Sequence, residues 1–468
     1  MFIYALLACT DPDPKGDDTV ASSADDTAAT AVDDTAGSTD DTGEGTGAVE
    51  ILDIQAEVLE EVVTVVRVSW TTAADSSGHV EFGESASYGL DTPVTDIGTE
   101  HSVLLLGNPA ETEVNFRVVL DDGVVSSNQT ITTGVLPNEL PELTIQGESP
   151  YGGWTVAPIQ GTHYAAAILD GQGRYVWYDI LETEGNLMRM LLTPDGRHIL
   201  YCWAGDQQNL ENGKVVWVSL DHEERIEYAW PNIDHDMTVL PDGTVSSIVV
   251  VPDPDADPFS GNQRSGDKIV ELSPDRKTET EIWNAWDALD MEALAAQVGG
   301  SNITHANAID YDVENDLYYV SLKELGSLVK IDRSTGETLW GMNGVLDEFT
   351  LQNGYPTDYH HQFDVLDGSI VFFDNGHSSR QYSRLVEFAY DEEAWTQTQT
   401  WEYRAEPDIV VATKGDVDRF DDGNTRVVWS TSGMIQDVTP DGEILFQVET
   451  ELGYVFTFTQ QVDDLYGR

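Results

Sequence analysis

His235-Asp-Met-Thr-Val-Leu-Pro-Asp-Gly-Thr-Val-Ser-Ser-Ile-Val-Val-Val251 is the stretch on which the fold turns. A half-apolar run, a Pro-Asp-Gly turn and a β-branched run predict an antiparallel hairpin. The turn recurs as Asp170-Gly171, Pro194-Asp-Gly196, Leu366-Asp-Gly368, Asp422-Gly423 and Pro440-Asp-Gly442. Companion phrases recur as well: Gly213-Lys-Val-Val-Trp217, Lys330-Ile-Asp-Arg-Ser-Thr-Gly336 and Glu443-Ile-Leu-Phe446. Repeats every 40–50 residues or so in a strand-rich chain indicate propeller blades. Six units are expected over residues 150–468, starting near 160, 186, 233, 303, 359 and 413. Tyr454-Val-Phe-Thr-Phe-Thr459 is expected to pair with the first unit and close the ring, and Ala285 to Val298 to form one helical insertion.

Composition agrees with an all-β fold: 40 Gly, 12 Trp, 18 Tyr and 13 Phe in 468 residues, with short apolar runs. The net charge is −63, from 85 acids against 22 Lys and Arg. Eleven acids and one Lys lie between Asp11 and Glu44, so 74 acids against 21 bases, near −53, remain elsewhere. Such a field repels nucleic acid and anionic membrane surfaces, and no nucleic-acid partner is expected. Cys9 and Cys202 are the only cysteines, which rules out a disulfide framework or a cysteine-rich metal site. Cys202 reads as a small buried hydrophobe within Ile199-Leu-Tyr-Cys-Trp203.

Residues 1–9 end in Leu6-Leu7-Ala8-Cys9 and resemble a lipoprotein signal, with Cys9 as the lipidated residue, although the basic segment of a full signal is lacking. The expected location is extracytoplasmic, in the periplasm or at the cell surface, on a membrane anchor. Residues 10–48 repeat Asp-Asp-Thr four times and read as a disordered acidic spacer. Residues 49–135 alternate as seven or so short strands around Trp70 and resemble a fibronectin type III β-sandwich. His79 and His101 read there as surface or strand-edge residues, and residues 136–149 as a linker.

Three units open with histidine: His235-Asp-Met-Thr-Val-Leu, His305-Ala-Asn-Ala-Ile-Asp and His361-Gln-Phe-Asp-Val-Leu. A β-branched residue follows four positions later in each (Val239, Ile309, Val365), which predicts that all three point to one level of the central channel. His163 is offset by one residue, and His198, His222 and His377 read as surface residues. A single strand histidine is most often structural; three in matching positions suggest a shared site.

The run Tyr359-His-His-Gln-Phe-Asp-Val-Leu-Asp-Gly-Ser-Ile-Val-Phe-Phe-Asp-Asn-Gly376, followed by Tyr382-Ser-Arg-Leu-Val-Glu387, resembles the motif of the bacterial arylsulfotransferases. His305-Ala-Asn307 is similar to the family's His-x-Asn, and His235 to its remaining histidine. The resemblance covers roughly residues 150–468. It implies transfer of a sulfuryl group from a phenolic sulfate donor to a phenol acceptor through a sulfo-histidine, without nucleotide or other cofactor. It places the nucleophile at His361, with His360 as the alternative, acid–base work on His235 and His305, and substrate contacts on Asn307 and Lys323. Lys323 stands where the family has arginine, so the charge is kept and the planar fork lost. Arg380 and Arg384 are candidates to compensate, Arg384 being the one expected on an outer strand.

The residues alone leave two other readings open. One is a non-catalytic propeller that binds a ligand or partner. The other is a hydrolase or lyase whose three imidazoles hold zinc with an open position.

Overall fold

The computed structural model describes residues 49–181, 186–204, 210–255, 264–376 and 380–468. Cys9, the acidic repeat and His377 lie outside the described residues. Among the described residues no helix is long and apolar enough to cross a membrane.

Residues 49–132 form two antiparallel sheets, one of three strands and one of four. Val66, Val68, Trp70, Val80, Phe82, Val114, Phe116 and Val118 fill the space between them, the alternation expected of strands with one buried face. His101 lies on Gly98–Leu105, an edge strand of the three-stranded sheet, but not at the surface. It is buried, stacks on Trp70 with ring centroids 4.8 Å apart, and its Nδ1 lies 2.8 Å from Thr95 Oγ1.

Six further sheets of four or five strands follow, and the molecule is an all-β propeller. The Pro-Asp-Gly turns show why the hairpins form where they do. At the first, Leu240 N–H donates to Thr244 O (2.8 Å), Asp242 Oδ1 accepts from Thr244 N (2.9 Å), and Gly243 takes a φ of 87° that favours glycine.

The ring is closed from both chain ends. Val455–Phe456 and Gln460–Val462 both pair with Trp154–Gln160 and complete the first sheet on its channel side. Leu143–Gly147, within the expected linker, instead pairs with Ile444–Thr450 as the edge strand of the sixth sheet. Residues 154–160 are therefore the second strand of their sheet. His163, in the turn after that strand, is exposed.

Aspartates stitch neighbouring inner strands together. Asp236 Oδ2 accepts from Ile309 N (3.1 Å), Asp364 Oδ2 from Arg419 N (2.7 Å) and Asp416 Oδ2 from Thr459 N (2.6 Å). Backbone donors that would otherwise face the channel unpaired are thereby satisfied.

The expected insertion is two helices, Ala285–Ala288 and Met291–Val298. Asp290 breaks the run because its side chain caps the second helix, accepting from Ala293 N (3.1 Å). Cys202 is fully buried, as a small hydrophobe should be. His222 packs edge-on against Trp177 (5.3 Å), and His198 Nε2 lies 3.0 Å from Glu224 Oε2, so neither is a free surface group.

Candidate active site

Inner-strand register places the histidines. In the paired ladders Met237, Ile309, Phe363 and Val417 face Ser247, Val320, Phe372 and Val427 of the adjoining strands. Two residues earlier stand His235, Asn307, His361 and Gly415. His305 lies two residues before Asn307, and Tyr359 two before His361. The matched spacing to Val239, Ile309 and Val365 runs across bulges in all three strands, at 234/237, 306/308 and 360/363.

The imidazoles of His235 and His305 meet. Their Nε2 atoms lie 3.3 Å apart and the rings cross edge-on at 4.9 Å. Lys323 Nζ lies 3.1 Å from His305 Nδ1, so an ammonium donor makes Nδ1 the acceptor and leaves the proton on His305 Nε2. That proton faces His235 Nε2, while His235 Nδ1 sits 2.9 Å from Asp234 Oδ1. The result is a directed chain from Lys323 through both imidazoles, with Asp234 at ion-pair distance beyond it.

Electrostatics separates the two rings. Burial holds His305 down to about 3, reinforced by the charges of His235 and Lys323. Burial also opposes charge on His235, but Asp234 outweighs it and raises His235 above its ordinary value. Asp234 is itself desolvated, yet His235 keeps its carboxyl below the usual range. His235 is thus the imidazole of the pair that takes up a proton first. Asp267 clamps the turn presenting His305, accepting from Thr304 Oγ1 (2.5 Å) and Ala306 N (2.7 Å).

His361 is set by Asn375. The Asn375 Nδ2 donates to the carbonyls of Val411 (2.9 Å) and Lys414 (2.8 Å), which turns its Oδ1 toward His361 Nδ1 at 2.8 Å. His361 must then carry its proton on Nδ1, leaving the lone pair on Nε2. Burial holds the ring down to about 3, so it is neutral across the physiological range. The charges of His235, Lys323 and His305 add to this, which places all four groups within one field. Tyr359 lines the same space, its ring 5.8 Å from His361 and 4.6 Å from Lys323 Nζ.

His360 faces the other way. It is fully buried against Phe372 (4.9 Å), with Nδ1 on Thr357 Oγ1 at 3.1 Å. Asn307, expected to contact substrate, is also fully buried, and its Nδ2 donates to the main-chain oxygen of His360 (3.2 Å). The bulge at 307 turns that amide between two sheets, where it joins strands. Lys323 is in the cluster but already engaged, since Glu324 Oε1 accepts from Nζ at 2.9 Å.

Arg384 is saturated by Asp374 (2.8 Å), Glu402 (2.8 Å) and the carbonyls of Tyr355 and Pro356, and Arg380 is paired with Asp374. Arg384 therefore cannot offer the fork that Lys323 lacks. Asn375, Asp234 and Tyr359 are site residues that motif reading alone did not single out. Among the described residues no group of three or more His, Cys, Asp or Glu is placed to hold a metal ion. A cleft of about 770 Å³ between the sandwich and the second sheet contains His101 and His198, both paired as above, and lies apart from this cluster.

If Asn375 sets the His361 tautomer, Asn375→Ala should lower kcat by about 10–100-fold with KM little changed, the usual cost of losing an orienting partner. Steady-state kinetics on an aryl sulfate checks this.

A propeller that gathers one amide-oriented imidazole, a proton-linked pair and a lysine at one end of its channel has the make-up of a group-transfer site. The chain belongs to the arylsulfotransferase (ASST) family, whose model matches residues 160–454. At the level of that family it is an aryl sulfate sulfotransferase. Among curated proteins, no sequence matches the chain. Solved structures of similar fold include a protein of unknown function from Bacteroides caccae, at 12% identity over 67% of this chain and 100% of that one, TM-score 0.46. The β-propeller domain of Myceliophteria thermophila Cps50 (Swd1) is 10% identical over 65% and 89%, TM-score 0.38. Streptogramin B lyase is 14% identical over 65% and 86%, TM-score 0.36.

Proposed function

We propose that the protein moves a sulfuryl group from a phenolic sulfate to a phenol through a covalent sulfo-histidine at His361, with no nucleotide donor. The observation that carries this reading is the Asn375 contact, which leaves the lone pair on Nε2 of an imidazole that burial keeps neutral.

In the first half-reaction His361 Nε2 attacks sulfur, the N–S bond forms, and the S–O bond to the aryl group breaks. The departing phenolate, whose conjugate acid has a pKa near 10 or so, takes its proton from the imidazolium form of His235, in which Nε2 carries a proton and no longer accepts from His305. In the second, the oxygen of an acceptor phenol attacks sulfur while the pair takes its proton. The N–S bond breaks and returns the lone pair to His361. Lys323 orients His305 and adds positive potential where the sulfate charge sits. Positioning and charge supply most of the acceleration, as in phosphoryl transfer.

Incubation with 4-nitrophenyl sulfate and excess phenol, without nucleotide, tests the reading. Nitrophenol release that depends on phenol supports it; a folded protein that releases none contradicts it.

The pH dependence follows from the two shifts. His361 is unprotonated above about 3, so kcat/KM should show no acid limb at the ordinary histidine value of 6.5. His235 is raised, so its proton is lost only as pH climbs above 6.5, and activity should fall on that alkaline side. A profile rising through 6.5 would overturn this assignment.

The membrane anchor proposed at Cys9 and the extracytoplasmic location rest on residues 1–48 of the sequence. Palmitate labelling of wild type but not Cys9→Ala in a bacterial host tests them.

A further inference from the structure

One more cation stands at this end of the channel, and the reaction above leaves it unused. Lys414 lies two residues before Asp416–Arg419, the inner strand of the sixth sheet. Its backbone is left-handed (φ 63°), as are those of His235 (51°), His305 (47°) and Tyr359 (70°). The third to sixth sheets thus each present a strained non-glycine residue at the same end of the inner strand. Such strain persists only where the surroundings enforce it, and it gathers at functional sites. Three of the four residues already belong to the site. Asn375 joins the fourth to it, because the amide that orients His361 donates to the Lys414 carbonyl (2.8 Å).

The ammonium of Lys414 is placed unlike most bases of this chain. With 85 acids against 22 Lys and Arg, counter-charges are plentiful. Yet among the described residues no carboxylate lies within ion-pair distance of Lys414 Nζ. Its described polar partner is Gln160 Oε1, while the Gln160 Nε2 is turned to the Leu187 carbonyl. An ammonium has three donors, so two remain. Burial lowers Lys414 from 10.5 to about 8, which leaves most of it charged at neutral pH. A partly buried cation with spare donors and no counter-charge is suited to an anion. Lys323 is committed differently, to His305 Nδ1 and to Glu324.

We infer that Lys414 binds the sulfate group of the aryl sulfate, holding its non-bridging oxygens across the channel from the His235–His305 pair. The inference rests on the sulfuryl-transfer reading for its substrate, but its test does not depend on turnover. Inorganic sulfate is the probe, titrated calorimetrically at constant ionic strength into wild type, Lys414→Met and Lys414→Arg. Lys414→Met should weaken sulfate binding by about tenfold or more, the scale of one charge-assisted hydrogen bond, and Lys414→Arg should restore most of it. Unchanged affinity in Lys414→Met, or no sulfate binding by wild type, overturns the inference.

Should Lys414→Met fail to fold, reductive methylation of wild type gives the second measurement. Sulfate should protect Lys414 from the reagent, and equal labelling with and without sulfate contradicts the assignment. Sulfate binding through Lys414 in a protein without transferase activity would sink the proposed function and leave this site standing. Transferase activity with sulfate affinity indifferent to Lys414 would do the reverse.

Discussion

His361→Ala should reduce nitrophenol release to the buffer rate, a loss of about 10⁴-fold or more, because it removes the atom that forms the covalent bond. His360→Ala is the informative partner. His360 lies fully buried on Phe372 with its Nδ1 held by Thr357, so it has no path to a sulfate ester in the channel. Its loss should lower stability by about 1–3 kcal/mol through the void and the unpaired Thr357 hydroxyl, and leave the transfer chemistry intact in the folded fraction. Thermal melts and kinetics on the two variants separate these effects. The reverse pattern, with His360→Ala inactive and His361→Ala active, would move the nucleophile one residue.

The second large effect concerns the ring itself. Arg426 is almost fully buried, and its guanidinium meets Asp437 at 2.7 and 2.8 Å, Thr155 Oγ1 at 2.5 Å and Ser149 Oγ at 3.2 Å. It ties the sixth sheet to the first, where the chain ends meet. Arg426→Leu should cost about 3–5 kcal/mol, because Asp437 is left charged and unpaired in the interior. Arg426→Leu with Asp437→Leu should recover much of that loss, since exchanging a buried ion pair for apolar groups is often near neutral. Urea denaturation of the single and double variants decides between them. A single variant as stable as wild type would show that the closure does not depend on this pair.

The hairpins were legible because Asp-Gly turns interrupt β-branched runs at intervals that only a repeating sheet satisfies. Ring closure was half legible. Tyr454 to Thr459 reads as a strand by its alternation, but Leu143–Gly147 is five residues long beside Pro137 and Pro141, and local sequence gives it no partner. The histidines were legible as a group and not in detail. Spacing along a strand predicts register only if the strand is regular, and the bulges at 306/308 and 360/363 break that condition. The choice between His360 and His361 depends on which neighbour faces Phe372, a matter of packing across sheets. Asn307 was legible only in part: a motif names a residue type, whereas one of its two amide donors is used by a carbonyl that only the fold brings near. Lys414 carried a weak signal, as the residue just before the sixth inner strand, but its freedom from carboxylates is a property of the assembled channel.

The most direct test of the account is to mix the protein with 4-nitrophenyl sulfate without a phenol acceptor, quench, and map the product by mass spectrometry under conditions that preserve N–S bonds. One added SO₃ group is expected on the peptide bearing His361, discharged when phenol is supplied. Turnover with no modified peptide, or an SO₃ group on any other residue, would contradict it.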